Sequence, residues 1–448
     1  MFSSMFLLSK RNVISELQRL QRQLILCDGT GNDGVFEYLT DDLVVEILRR
    51  LPAEHLWRWC RSVCKRWYAL ISSPSFAHAH LEQSPSTFFF CCPPRGKSFI
   101  HATKPNFIFP HEGDDASTWG FVARSLNERL VERWKLCARG VLPSDSCNGL
   151  ILFSCCWSTE LYLRNLIMWS AMYRIGIRNQ IYIGNPITGE LLTIHNPSTF
   201  TLNGLCGFFY HSSTQEYKLL HCHKPDDTDV NYVYTMLTLG STEWRRICNF
   251  PYRVRPGSSP VKLDNTLYWM THASFSTCED SIIMFNMDSE EFRTMPRPSY
   301  SCQTSESHDR MNLLEMDGRL TCWCVMGRDV CAWAVEVSDR NNYTPASWVQ
   351  IYHLDFYGNF DLGFTQNVPD NLHVKLVSMD SREQVLLWSG KRVFRCDLLT
   401  KSPRKIKLAG VNEPYIDLFS EHLLIIGYRK SVVSLNNFYP GLSEVHVA

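Results

Sequence analysis

From residue 83 onward the chain repeats one pattern. Short apolar and aromatic runs follow each other in pairs of hairpins, bounded by Asp, Gly, Ser, Asn or Pro. VKLDNTLYWMT (261–271) with IIMFNMDSEEFRTMP (282–296) forms one such unit. NLLEMDGRLTCWCV (312–325) with the runs of 330–354 forms another, and VKLVSMDSREQVLLWSG (374–390) with RVFRCDLLTKSPRKIKL (392–408) a third. GFFYHSSTQEYKLLHC (207–222) with VYTMLTLGSTEWRRIC (233–248) is a fourth, and 148–195 holds a looser fifth. A four-strand unit recurring roughly every 45–60 residues predicts a β-propeller, because each unit has an apolar face that only its neighbour can cover. YIDLFS and HLLIIGY (415–428) make only half a unit, and the runs at 87–103 can supply the other half. Pairing the two halves would close the ring and remove exposed edges, at about six blades.

Residues 39–81 read differently. LTDDLVVEILRRLPAEHLWRWCRSVCKRWYALISSPSFAHAHL places Leu43, Ile47, Leu48 and Leu51 at helical spacing, and Val63, Trp67 and Ile71 on a second stripe. Thr40 is placed to cap the first helix, with Asp41 and Asp42 in its positive first turn and Arg49 and Arg50 in its last. Pro52 is expected to stop that helix and Pro74 the last of three. Forty residues are too few to close a core alone, so the segment needs a partner surface. The expected division is an extension and linker at 1–38, the helical module at 39–82 and the β domain at 83–448.

Composition excludes several classes. Lys plus Arg equals Asp plus Glu at 45 each in 448 residues, so no net field draws the chain to nucleic acid or an acidic membrane. The first ten residues carry no basic leader, and 161–177 is broken by Arg164, Asn165 and Arg174, so neither a secretory signal nor a bilayer span is expected. Eighteen cysteines, several in adjacent pairs or strand-like runs, suit buried reduced thiols and a cytosolic or nuclear compartment.

The helical segment resembles an F-box. The matching positions are Leu39, Asp42, Leu43, Ile47, Leu48, Leu51, Pro52, Leu56, Arg61, Val63, Lys65, Trp67, Ile71, Pro74, Phe76, His80 and Leu81, with Thr40 where the family usually has proline and with bulky Trp57 and Trp59 around the second helix. The β region resembles the plant F-box-associated domain through SCNGLILF (146–153), YIGNPITGELLTI (182–194), GFFYHSSTQEYKLL (207–220), TLGSTEWRRI (238–247), LDNTLYWMT (263–271) and IIMFNMDSEEFRTMP (282–296). No Gly-Gly doublet supports a true kelch propeller, and the stretch 157–180 departs from the family's short connection.

The resemblance implies a fold that is mainly β with a small α module, and a docking function. An F-box binds a Skp-family adaptor and through it a cullin, in an SCF-type ubiquitin ligase. The implied adaptor-binding residues are Leu43, Ile47, Leu48, Leu51, Pro52, Leu56, Val63 and Trp67. The partner on the β side is then a target protein. Alternatives are a propeller that takes a glycan or small ligand, or a propeller enzyme; inward-pointing carboxylates on the first strands of several blades would mark the enzyme, and none stands in the quoted phrases.

Loop lengths suggest where a target binds. Turns at Ser213-Thr214, Asp264-Asn265 and Asp317-Gly318 are tight. The connections at 223–231, 249–259, 271–281, 297–310 and 355–371 are long, and long loops on a rigid scaffold carry binding residues. Tyr252, Arg253, Arg255, Tyr300, Phe356, Tyr357 and Phe360 are the expected anchors on that face, by residue type. The long turn at 338–347 is on the other face and breaks the asymmetry.

Dedicated chemistry is thin. Gly29, Gly31 and Gly34 spell G-x-G-x-x-G without a strand before or a helix opening after them. His221-Cys222-His223 with Asp226 reads as a strand end ahead of a metal site, and Arg95-Gly96-Lys97-Ser98 lacks the upstream glycine of a P-loop, Cys91 standing there. No catalytic residue, metal or cofactor is expected.

Overall fold

A computed structural model describes residues 40–84 and most of 141–155, 180–195, 204–272, 281–298, 311–336 and 347–355, with separate strands at 86–91, 109–122 and 374–447. Residues 1–39, 92–108, 123–140, 156–179, 299–310, 356–373 and 407–423, and shorter stretches between strands, lie outside the described residues. The glycine motif, nearly all of the 157–180 stretch and the 338–347 turn fall there.

The helical module contains α1 (Asp41–Leu48), α2 (Ala53–Arg58), a 3₁₀ turn (Cys60–Ser62), α3 (Lys65–Ser72) and α4 (Pro74–Gln83). One α-helix more is present than the three expected. Pro74 does end α3, but it also opens α4: it stands at that helix's first turn, and Ser73 Oγ accepts the Phe76 amide at 3.2 Å. Proline's missing N–H costs nothing there and its fixed φ suits the turn. Thr40 is the N-cap of α1, yet its side chain makes no capping bond; Asp41 and Asp42 supply the favourable charge instead. Arg49 and Arg50 lie just past the last turn.

The strands follow in chain order: β1 (Ser86–Cys91), β2 (Phe109–Glu112), β3 (Trp119–Val122), β4 (Val141–Cys147), β5 (Leu150–Cys155), β6 (Gln180–Asn185), β7 (Glu190–His195), β8 (Leu205–His211), β9 (Glu216–His223), β10 (Tyr232–Thr238), β11 (Arg245–Phe250), β12 (Val261–Leu263), β13 (Thr266–Met270), β14 (Ile282–Asn286) and β15 (Phe292–Met295). Then come β16 (Met311–Met316), β17 (Arg319–Met326), β18 (Asp329–Glu336), β19 (Ser347–Asp355), β20 (Val374–Ser378), β21 (Gln384–Ser389), β22 (Arg392–Asp397), β23 (Ser402–Ile406), β24 (Leu424–Arg429) and β25 (Val445–Val447). Each four-strand unit read from the sequence is one antiparallel meander: β4–β7, β8–β11, β12–β15, β16–β19 and β20–β23.

One strand from each half-unit meets the other, while the runs at 98–103 and 415–420 lie outside the described residues. β1 pairs antiparallel with β24, Ser86 opposite Arg429 and Cys91 opposite Leu424. β2 and β3 form a separate pair. First strands are neighbours from sheet to sheet: β4 lies beside β8, β12 beside β16, β16 beside β20, β20 beside β24, and β24 beside β4. One pairing has no forerunner in the sequence reading. β25 runs parallel to β7 and widens the first sheet to five strands.

The tight turns sit where expected. Asp317 and Gly318 both have positive φ, 53° and 68°, as a two-residue hairpin turn requires, and Asp264 has φ 49°. Between sheets lie the cores. Phe209, Tyr234, Trp269 and Phe285 fill the space between the second and third sheets, and Met270, Cys322, Cys324 and Trp333 that between the third and fourth. Another core joins the α module to the first two sheets: Val44, Leu48, Leu56, Ile71 and Phe76 pack with Leu150, Leu192, Leu219 and Leu435.

Candidate functional site

Helix α1 is apolar on two sides. Val44 and Leu48 point into the joint core, while Leu43 and Ile47, one turn apart, are 52% and 50% exposed. Two more large apolar side chains of the module, Trp59 (47%) and Tyr68 (54%), are also open. Arg66 ties α3 to the start of α1 through Asp41 at 2.7 Å. The Arg61 guanidinium stacks 3.8 Å from the Trp57 ring centroid and lies 6.0 Å from that of Tyr68. Trp57 itself reaches the β domain, its indole donating to the Thr188 carbonyl at 3.2 Å.

The eight residues expected to bind an adaptor therefore divide. Leu43, Ile47 and Pro52 are exposed; Leu51, Val63 and Trp67 are half-buried; Leu48 and Leu56 are wholly inside the core shared with the β sheets. Spacing identifies an apolar position but not which of two apolar sides meets the core. Trp59 and Tyr68 were not among the expected contacts. The only signal for Trp59 was its excess bulk, and nothing local marked Tyr68.

The expected target-binding residues also divide. Tyr300, Phe356, Tyr357 and Phe360 lie outside the described residues. Tyr252 is half-buried, its ring 5.6 Å from that of Phe250 and its carbonyl accepting the Tyr234 hydroxyl at 2.9 Å. Arg253 accepts the His272 amide through its carbonyl at 2.9 Å, and Arg255 donates its amide to the Met270 carbonyl at 2.9 Å. With the isolated Val254–Thr271 bridge, these bonds pin the loop beside the end of β13. Arg255 Nη1 donates to the Met311 carbonyl at 2.5 Å and so reaches the fourth sheet. Arg253 lies beside the buried Cys222 thiol, whose pKa is held below the ordinary value by the Cys206 hydrogen bond and then by the Arg253 charge. All three residues are engaged within the chain.

Two carboxylates stand on first strands of the sheets, Glu315 on β16 and, just outside the quoted phrase 146–153, Asp145 on β4. Asp145 on β4 is buried; Oδ1 accepts the Ser146 amide at 2.8 Å and Oδ2 the Phe208 amide at 3.3 Å, with Lys262 Nζ on β12 at 3.5 Å. Burial pushes its pKa up, against the pull of Lys262 and the two amides. This arrangement joins three sheets and is saturated by the chain's own donors. His221 and His223 share β9, their rings 5.7 Å apart, and among the described residues no His, Cys, Asp or Glu cluster has the makings of a metal site. The described cysteines carry free thiols; burial pushes Cys60 to about 11 and Cys324 to about 12. Among the described residues no helix is long and apolar enough to cross a membrane.

Comparison with known proteins decides the family. The model of the F-box associated beta propeller domain matches residues 117–426, and that of the F-box domain matches 36–78. The chain belongs to the F-box-associated β-propeller family. Among relatives of this F-box protein in Arabidopsis thaliana are an F-box protein, 22% identical over 64% of this chain and 66% of that one, and a putative F-box protein, 25% identical over 59% and 62%. The chain thus spans less than two thirds of the length of these two. An F-box/kelch-repeat protein of the same plant is 22% identical over 91% of this chain and 97% of its own. A solved oligogalacturonate lyase in complex with manganese is similar at 9% identity over 52% of this chain and 61% of that one, with a TM-score of 0.32, too low to bear on fold or chemistry.

Proposed function

We propose that this F-box protein is the substrate-recognition subunit of an SCF-type ubiquitin ligase. The observation that carries this reading is the two-sided helix α1. One side is spent on the chain's own core, and the other leaves Leu43 and Ile47 open beside a module that also exposes Trp59 and Tyr68. An apolar pair at i and i+4 on a helix anchored from behind is what a helix-in-groove contact uses. A Skp-family adaptor is the partner that the F-box match supports, and a cullin follows through that adaptor. Burying the open half of Leu43 and Ile47 contributes about 1 kcal/mol each, at half the value for a fully buried side chain.

On this reading the chain is not an enzyme. Ubiquitin chemistry belongs to other subunits, and the chain supplies proximity between target and transfer machinery. The working compartment is the cytosol or nucleus. The target is a protein taken by the face with long connections, with Tyr252, Arg253, Arg255, Tyr300, Phe356, Tyr357 and Phe360 as candidate contacts. The proposed division remains 1–38, 39–82 and 83–448.

The test is co-purification of the full chain with a Skp-family adaptor. Leu43→Asp with Ile47→Asp is expected to abolish recovery while the far-ultraviolet spectrum and melting midpoint hold. Undiminished recovery with that double variant would overturn the docking assignment.

A further inference from the structure

The segment after β24 touches three parts of the molecule within ten residues. Lys430 Nζ lies 2.6 Å from Glu54 Oε1 on α2 of the F-box. Asn185, at the end of β6, donates through Nδ2 to the carbonyls of Ser431 at 3.1 Å and Val433 at 2.7 Å. Glu190, at the start of β7, accepts from the Leu435 amide at 2.6 Å, from Ser434 Oγ at 2.7 Å and from Asn436 Nδ2 at 2.9 Å. The Phe438 ring meets that of Tyr217 on β9 edge-on at 5.3 Å, and the Tyr439 hydroxyl donates to the Ser241 carbonyl at 3.1 Å.

The polar clips flank an apolar row. Val432, Val433 and Leu435 are buried in the same core as Val44, Leu48, Leu56 and Ile71 of the F-box and Leu150, Ile183 and Leu192 of the first sheet. The turn between β4 and β5 approaches so closely that a Cβ on Gly149 would collide with the Ser431 side chain and the Arg429 carbonyl. Gly149 also has φ 79°, so both the space and the backbone demand glycine. Beyond residue 444 the chain adds β25 to the outer edge of the same sheet. Residues 430–447 lie past both matched ranges, which end at 78 and 426.

We propose that residues 430–439 are a clasp that locks the F-box onto the propeller and holds the docking face of α1 at one fixed orientation to the β sheets. Among the described residues, the F-box reaches the first sheet directly through the Trp57–Thr188 bond. The clasp adds what that bond lacks. It fills the wedge between helices and sheet with three aliphatic side chains, and it grips one side through Glu54 and the other through Asn185 and Glu190. The two sides then move as one body. For a ligase subunit, a rigid joint restricts which target lysines come within reach of the transferred ubiquitin; that consequence rests on the function proposed above, whereas the joint itself does not.

Hydrogen exchange on the full-length chain tests the clasp. Asn185→Ala with Glu190→Gln removes the grip on the sheet side without opening a large cavity, and Lys430→Ala removes the grip on the F-box side with a surface change. Amides of α1 to α4 are expected to exchange at least tenfold faster in the double variant and a few-fold faster in Lys430→Ala, whose ion pair is partly exposed, while β9, β10, β13 and β14 keep their protection. Small-angle scattering should show a larger radius of gyration for the double variant, and adaptor recovery should persist. Unchanged exchange in the helices of both variants would overturn the clasp. Uniformly faster exchange across all sheets would overturn it too, since the segment would then be ordinary core and no joint. Loss of adaptor binding in the wild type would refute the ligase reading and leave this result standing.

Discussion

The indole of Trp269 on β13 donates to the backbone carbonyl of Cys206 on β8 at 2.6 Å, joining the third sheet to the second through a wholly buried bond. The same ring packs 3.3 Å from the Cβ position of Gly207, so no larger residue fits beside it without a shift. Trp269→Phe keeps most of the apolar contact but strands the carbonyl, at about 1–3 kcal/mol. Trp269→Ala adds a cavity and is expected to cost about 3–5 kcal/mol. Urea titration followed by circular dichroism should resolve the two steps. A Trp269→Phe variant as stable as the wild type would mean that the hydrogen bond contributes nothing.

Adjacent residues of α1 should behave oppositely. Leu48 is in the joint core and Ile47 is half open. Leu48→Ala is expected to lower stability by about 2–5 kcal/mol. Ile47→Ala is expected to leave stability within about 1 kcal/mol and to weaken adaptor binding instead. Melting midpoints paired with adaptor titrations separate the two.

Asp145 and Lys262 are asymmetric partners. Asp145 is almost fully enclosed, whereas Lys262 retains 29% exposure. Lys262→Met strands a buried carboxylate and is expected to cost about 3 kcal/mol. The loss should shrink as pH falls, because the stranded group can protonate. A double-mutant cycle with Asp145→Asn should return a coupling of about 1–3 kcal/mol; a coupling near zero would show that the two charges act independently.

His80 in α4 provides a pH signature. Its Nε2 lies 2.8 Å from the Leu51 carbonyl, Ser84 Oγ is 3.3 Å from Nδ1, and Phe76 stacks on the ring at 6.1 Å. Burial lowers its pKa, and the Leu51 bond and the Glu54 charge only partly reverse this. A folded pKa below the unfolded value of about 6.5 means that the unfolded chain takes up the proton first. Stability is then complete above that value and lost as pH falls below it, towards the folded pKa. His80→Gln is expected to flatten the fall in melting midpoint between pH 7.5 and pH 5.5. Glu54 contributes at lower pH. Burial raises its pKa, but Lys430 draws it down further, so its stabilisation disappears only as pH falls below the glutamate range.

What the sequence by itself determined is local. Every four-strand unit was legible because a hairpin is written in neighbouring residues: alternating apolar runs and a turn such as Asp317-Gly318, whose positive φ values few other residues tolerate. The meeting of β1 with β24 was legible as well, since two half-units leave one way to complete a blade. The helical module was recognisable, but Pro74 was misjudged because proline stops one helix and starts the next with equal ease. Only the tertiary structure decided which side of α1 faces inward. Leu43, Ile47, Val44 and Leu48 have one and the same helical spacing whichever side meets a sheet, and burial is set by what packs against them. The clasp was invisible for a related reason: Glu190 meets Leu435 across 245 residues and Lys430 meets Glu54 across 376, and no periodicity carries information over such separations.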